Sequence, residues 1–483
     1  MSTIRRSFFF SSVTQYLNKL ISFAFVVITA RMLTPEELGL YAIASGVVIV
    51  ASEFRLMGAT NYLVRSEKID KSMVCSGLGL TICICWPLAL LIVFASDHVA
   101  NFYDLAPLAL LFKILAIPFL VAPFISISAC MLTREMAFHK IMIIRLTSLI
   151  VKIVSSVYMM WLGYSYYALA WGLVIATAFE IVLYFFMRSD IVSWKPSFKG
   201  LRPIFHFGIY NTLINALHRF ESVAPDIILG KFANVRDVAL FSRGAGFLTF
   251  VNEMVTAGVW QVALPAMSKV KREGGDVSEG YIKASLMLGG LVLPVLGVAA
   301  YAAEPVILMI FGEQWEESVP VAQVIVGWVM FKSIHTLSTP LMITTANEKP
   351  LLVKQVCVFA ICLGLGILAA PSGMMMMAWA MVCVGIADYI ITSLFLWRYL
   401  QISIFSFALR LLSNLLISLC CVAATALIDN AVDFSSAEPL FSVFVIALIL
   451  PFVWLACIYL FKHPLRNEIS LVARQIRTRF AAT

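Results

Sequence analysis

Along this chain apolar residues come in runs of about twenty, each closed by a short polar stretch, and the pattern holds from one end to the other. A run of that length crosses the hydrocarbon core of a bilayer as a helix, since about 20 residues rising 1.5 Å each span about 30 Å. Windows of this size predict about fourteen spans, near residues 9–33, 39–63, 73–96, 105–132, 141–162, 166–187, 204–229, 238–265, 284–303, 319–343, 351–370, 373–397, 406–428 and 439–461. The expected fold class is therefore all-α and integral to the membrane, with no soluble domain.

Composition agrees with the pattern. Of 483 residues, 61% are hydrophobic and only 13% charged, against about 25% charged in a soluble protein. Arg5 and Arg6 precede Phe8, Phe9 and Phe10 as in a secretory signal. Gln15, Asn18 and Lys19 then interrupt the apolar run, and no small-residue cleavage site follows before Leu33, so a retained first helix is expected. Ten cysteines fall in or beside apolar segments. Cys83-x-Cys85 and Cys420-Cys421 lack the histidine and paired-cysteine context of a metal site, so free buried thiols are expected, with no metal and no cofactor.

Charge sets the orientation. With the N-terminus inside, roughly 23 Lys and Arg fall on the cytoplasmic side, Lys349, Lys354 and the tail residues Lys462 and Arg466 among them, against about three outside, Arg31, Lys231 and Arg236. Both termini are thus expected in the cytoplasm. The basic tail reads as a segment near anionic lipid rather than a nucleic-acid site.

The chain also matches itself at an offset of 200 residues. Gln15 aligns with Asn215, Lys19 with Arg219, Arg31 with Lys231, Glu37 with Asp237 and Gly46 with Gly246. Six spans separate the copies, so both run the same way through the membrane as a parallel repeat. The expected organisation is a six-helix lobe at 1–187, a cytoplasmic linker at 188–203, a second six-helix lobe at 204–400, and a terminal helix pair with a basic tail at 401–483.

Several segments carry a family resemblance. They are Ala30-Arg31-Met32-Leu33-Thr34-Pro35-Glu36-Glu37-Leu38-Gly39-Leu40-Tyr41, then Asp226 to Lys231 followed by Phe241-Ser242-Arg243, and Phe311-Gly312-Glu313-Gln314-Trp315. With the span count and duplication, they resemble the polysaccharide flippase branch of the multidrug/oligosaccharidyl-lipid/polysaccharide exporter superfamily. Ala239 and Phe241 stand where the resemblance leads one to expect Gly and Tyr. The resemblance implies a carrier, not an enzyme, in the bacterial inner membrane. It would move an undecaprenyl-diphosphate-linked oligosaccharide outward for a surface polysaccharide such as O-antigen, capsule or exopolysaccharide. Its partners would be the lipid-linked oligosaccharide, membrane lipids, and the polymerase and glycosyltransferases of the pathway.

Charged residues inside spans are costly and therefore mark function or pairing. The basic set is Lys19, Arg55, Lys113, Arg145, Lys152, Arg219, Arg243, Lys332 and Arg410; the acidic set is Glu53, Glu180, Glu221, Asp226, Glu253 and Asp388. The basic excess suits a diphosphate, whose hydration Arg and Lys can replace. Lys19 and Arg219 are expected to face each other over a central cavity, with Arg55 and Arg243 supporting. Glu53, Asp226, Glu221 and Asp388, with His206, His218 and His335, are candidates for ion coupling. No G-x-x-x-x-G-K-[ST] phosphate loop occurs, which argues against ATP hydrolysis. The alternatives are a drug or cation exporter of the same superfamily, better served by an acidic interior, and a membrane polymerase or glycosyltransferase. The second would need a substantial outer loop, whereas the longest outer connection, near 304–318, has about 15 residues.

Overall fold

The computed structural model describes residues 2–55, 63, 69–432 and 438–471 and is helical, with no strand among them. Side chains at 2–12, 202–204, 206–208, 211, 260–262, 264–265 and 432 fall outside that description. The expectations for Arg5, Arg6, Arg65, Lys68, the His206 side chain, Asp433, Arg474, Arg477 and Arg479 therefore lie outside the described residues.

The helices are α1 (Ser2–Met32), α2 (Pro35–Phe54), α3 (Lys71–Tyr103), α4 (Pro107–Arg134), α5 (Phe138–Trp161), α6 (Tyr167–Met187), α7 (Leu201–Phe232) and α8 (Val235–Arg272). There follow α9 (Val277–Tyr301), α10 (Ala303–Phe311), α11 (Val319–Ile334), α12 (Ser338–Thr344), α13 (Glu348–Ala369), α14 (Met374–Leu400), α15 (Ile404–Val432) and α16 (Pro439–Leu460). Among the described residues, 12 helical stretches are long and apolar enough to cross a membrane. The two expected spans outside that set are α7 and α8, whose charges, Arg219, Glu221, Asp226, Arg243 and Glu253 among them, lower their hydropathy. These two helices carry much of the candidate chemistry.

Helix boundaries repeat at the offset seen in the sequence. The first helix ends at Met32 and α7 at Phe232; α2 begins at Pro35 and α8 at Val235. The caps repeat as well. The Glu37 N–H donates to Thr34 Oγ1 at 3.3 Å and the Thr34 N–H to Glu37 Oε2 at 2.8 Å, a reciprocal capping box. At the equivalent turn the Asp237 N–H donates to Asn234 Oδ1 at 2.7 Å. Other starts follow the same logic, with Asp70 capping α3 through the Met73 N–H and Asp276 capping α9.

Two expectations change. The outer connection near 304–318 is not a loop: it holds α10 and a 3₁₀ turn at Glu313–Ser318, separated by Gly312 at φ 100°. Nine residues were too short for a membrane-length window, yet the turn buries Trp315 completely. The span at 319–343 breaks at residues 335–337 into α11 and α12. Pro340 has no backbone N–H, so the Thr336 carbonyl loses its helical donor there. By contrast α4 continues through Pro118 and Pro123, and α9 through Pro294.

The chain divides into two compact units, residues 1–242 with 362–374, and 243–361 with 375–483. In the first, Leu63, Val74, Leu78, Ile127 and Met131 form a core that also takes in Val192. Residues 188–200 are thus docked rather than free. The Ser197 N–H donates to the Cys75 carbonyl at 2.9 Å, and a Cβ on Gly79 would stand 2.0 Å from the Ser197 carbonyl oxygen. In the second unit α15 lies against α9. Asn414 donates to the Leu286 carbonyl at 3.0 Å, Ser418 to that of Leu293 at 3.0 Å, and Trp454 of α16 to that of Gly290 at 2.8 Å.

All ten cysteines are free. Cys83, Cys357 and Cys383 are exposed rather than buried. In a bilayer an outward thiol meets acyl chains, so it needs no burial within the protein.

Candidate functional site

In the first unit α2 and α7 run antiparallel, and their polar positions meet near the end of α2. Arg219 Nε lies 3.0 Å from Glu53 Oε1; the Arg219 side chain is 57% exposed and that of Glu53 15%. Arg219 thus takes a partner from another helix while its guanidinium stays accessible. Glu221, fully buried, lies 3.7 Å from His218 Nδ1 one turn away. Asp226 is partly buried farther along α7, and Lys19 is partly buried on α1.

Arg55 follows α2 at its C-cap, and its Nε is buried without a hydrogen bond. Arg55 and Arg145 both act electrostatically on Glu180 of α6 without closing a salt bridge with it. The two bases thus share the field of one carboxylate. Lys113 pairs with Asp97 at 2.9 Å, and Lys152 lies over the Phe25 ring at 5.4 Å.

At the opposite end of α2, where the α1–α2, α3–α4, α5–α6 and α7–α8 turns gather, Arg236 lies 3.4 Å from Glu36 and Lys231 3.1 Å from Asp104. Ser165 of the α5–α6 turn donates to Glu37.

In the second unit Arg243 stacks over Phe311 and Trp315, at 5.9 and 5.3 Å from their ring centres. Asp388 of α14 pairs with Lys354 of α13 at 2.5 Å, both about one-tenth exposed, and accepts a hydrogen bond from Thr392 at 3.1 Å. Lys354, counted with the cytoplasmic charges in the sequence, instead lies inside an apolar helix. Its place seven residues into α13 was the available signal. At the break after α11, His335 hydrogen-bonds Tyr281 at 2.7 Å and Ser393 at 2.9 Å. The rings of Tyr389 and Phe407 stack on it at 5.0 and 5.4 Å. Sequence reasoning missed Tyr281 and Ser393, whose residue types give no sign of pairing across helices. Among the described residues no group of three or more His, Cys, Asp or Glu is placed to hold a metal.

Among the described residues, charged groups thus sit inside apolar helices, Arg219 with Glu53 and Lys354 with Asp388. Known proteins agree in fold. The solved structure of the lipid II flippase MurJ in its inward closed conformation matches with a TM-score of 0.76 at 15% identity, covering 95% of this chain and 99% of that one. The teichuronic acid biosynthesis protein TuaB of Bacillus subtilis is 24% identical over 49% of this chain. The succinoglycan biosynthesis transport protein ExoT of Rhizobium meliloti is 22% identical over 62% of it. The alignments span 50% and 61% of those two relatives. Residues 28–320, more than half of the chain, match the family described as polysaccharide biosynthesis protein, and the chain is a multi-pass membrane protein belonging to that family.

Proposed function

We propose that this chain moves an undecaprenyl-diphosphate-linked oligosaccharide from the cytoplasmic to the periplasmic leaflet of the bacterial inner membrane, by alternating access, for assembly of a surface polysaccharide. In this reading both termini are cytoplasmic, and the gathered turns at Glu36, Asp104, Ser165 and Arg236 face the periplasm. The observation that carries it is the half-exposed guanidinium of Arg219 on α7, which among the described residues pairs with Glu53. An incoming diphosphate offers two acceptor groups and more charge than one carboxylate, so it can displace Glu53 and take the guanidinium in bidentate fashion. Lys19 is the repeat equivalent of Arg219 and supplies the second cation. Arg55 adds positive charge near the end of α2, and Arg243 lies farther off, against aromatic rings.

A cationic drug would need bare carboxylates instead. Glu53 and Asp388 each face a basic partner, which favours the anionic cargo. We assign energy input to an ion gradient, with Asp388, Glu53, Glu221 and Asp226 as the groups that respond. Transport in vesicles should then change when a pH or sodium gradient is imposed.

The test is export of surface polysaccharide by cells carrying Arg219→Ala or Lys19→Ala. Hydrogen bonds to a charged group are worth about 1.5–3 kcal/mol, so each variant should lower export at limiting substrate roughly 10- to 100-fold. Arg219→Lys should fall in between. Export at the parental rate in both alanine variants would remove this pair from the mechanism.

A further inference from the structure

Where the four turns gather, a residue meets its own repeat equivalent. Glu36 and Arg236 are 200 positions apart, the offset of the duplication, and their side chains lie 3.4 Å apart. In a two-fold arrangement equivalent positions touch only near the axis, so this contact marks where the first and second copies close on each other. A second pair has the same polarity. Lys231, from the second copy, lies 3.1 Å from Asp104 of the first and 4.9 Å from the Phe102 ring centre. In both pairs the first copy supplies the acid and the second the base.

The chain approaches itself closely beneath these charges. A Cβ on Gly39 would stand 2.0 Å from the Val235 carbonyl oxygen, and one on Gly230 2.6 Å from Ile43 Cδ1. The Tyr103 hydroxyl donates to the Ile227 carbonyl at 3.0 Å. Gly46 faces Val223 and Ile227 deeper along the same seam. On the first-copy side the capping box and Ser165 fix Glu37, so the acidic rim moves with its own helices.

Lys231 and Arg236 are also two of the about three bases that the charge bias leaves on the outer side. Their acidic partners account for their position there.

We propose that Glu36, Arg236, Asp104 and Lys231 form the outer gate, a latch that holds the α2–α7 seam shut and parts when the carrier opens to the periplasm. The assignment of this end to the periplasm rests on the functional reading above. Arg236 is 45% exposed, Glu36 54% and Asp104 83%. Exposed ion pairs are weak and screened by salt, which suits contacts that break in every cycle. The close-packed seam beneath seals, and the charges align it.

The experiment places a cysteine at Val223 and measures its labelling by a membrane-impermeant maleimide added outside intact cells, as the increment over the same protein without that cysteine. Glu36→Arg or Arg236→Glu should raise labelling several-fold by setting like charges against each other. The double reversal, Glu36→Arg with Arg236→Glu, should return it to the parental level. Gly39→Val should raise labelling with both ion pairs intact. Single reversals that label no faster than the parent, or a double reversal that labels as fast as the singles, would overturn the gate. Recovery in the double reversal also excludes misfolding as the cause of the single effects. Labelling needs no substrate, so its failure leaves the cargo assignment standing, while loss of export specificity with normal gating would count against the cargo alone.

Discussion

Single residues decide which charges can sit in this bundle. The buried Lys354–Asp388 pair shows the cost: removing one partner strands the other, a loss of about 3–5 kcal/mol, whereas replacing both with neutral groups of similar shape is often nearly neutral. Lys354→Met should therefore lower thermal stability in detergent by several degrees, and Lys354→Met with Asp388→Asn should recover most of it. His463, just beyond α16, gives a pH-dependent counterpart. Its Nδ1 accepts the Leu465 N–H at 3.3 Å, so its Nε2–H donates to Asn414 Oδ1 at 2.7 Å. Burial holds its pKa below the ordinary value of 6.5. The unfolded chain then binds the extra proton first, so this residue's stabilising contribution is complete above about pH 6.5 and is lost as pH falls below it. Unfolding followed from pH 7.5 to 5 should show a steeper loss in the parent than in His463→Gln. Much of this was legible one residue at a time: Arg219 and Asp388 stand out as charges in apolar runs. Their partners did not, because Glu53 lies 166 positions from Arg219 and which helix supplies a counter-charge is decided by tertiary packing. Only the negative inference was available, that Glu221, two positions along the helix, points away from Arg219.

At the scale of elements, hydrophobic run length predicted nearly all the helices, because in a bilayer every backbone group must be satisfied within its own segment. What it missed has a local cause. The nine-residue α10 is too short for the window, and the break at 335–337 depends on Pro340 and on packing around His335. The repeat was readable because its polar positions match, and the helix ends and caps recur at the same offset. The docking of α15 on α9 was not readable, since it rests on small residues. A Cβ on Gly289 would stand 2.4 Å from Asn414 Nδ2, and one on Gly290 2.5 Å from the His463 ring. Gly289→Val should force Asn414 off the Leu286 carbonyl and overpack the contact at about 1–3 kcal/mol. The expected result is a lower unfolding temperature, with α15 and α16 cleaved sooner in limited proteolysis. Unchanged proteolysis would mean that this contact does not hold the terminal pair.

For the molecule as a whole, residues 28–320 place the chain in the polysaccharide biosynthesis family, and its fold is shared with the lipid II flippase. Among the described residues twelve stretches are apolar enough to cross a membrane, while α7 and α8 carry more charge. The proposed cargo rests on charge, and one reconstitution addresses it directly. The purified full chain is placed in lipid vesicles carrying a polyprenyl-diphosphate-linked oligosaccharide, and a glycosidase added outside reports how fast inner-leaflet sugar becomes accessible. Transfer should require the protein, fall roughly tenfold or more with Arg219→Ala, and disappear for a polyprenyl-linked sugar lacking the diphosphate. Equal transfer of the uncharged carrier, or a parental rate with Arg219→Ala, would contradict it.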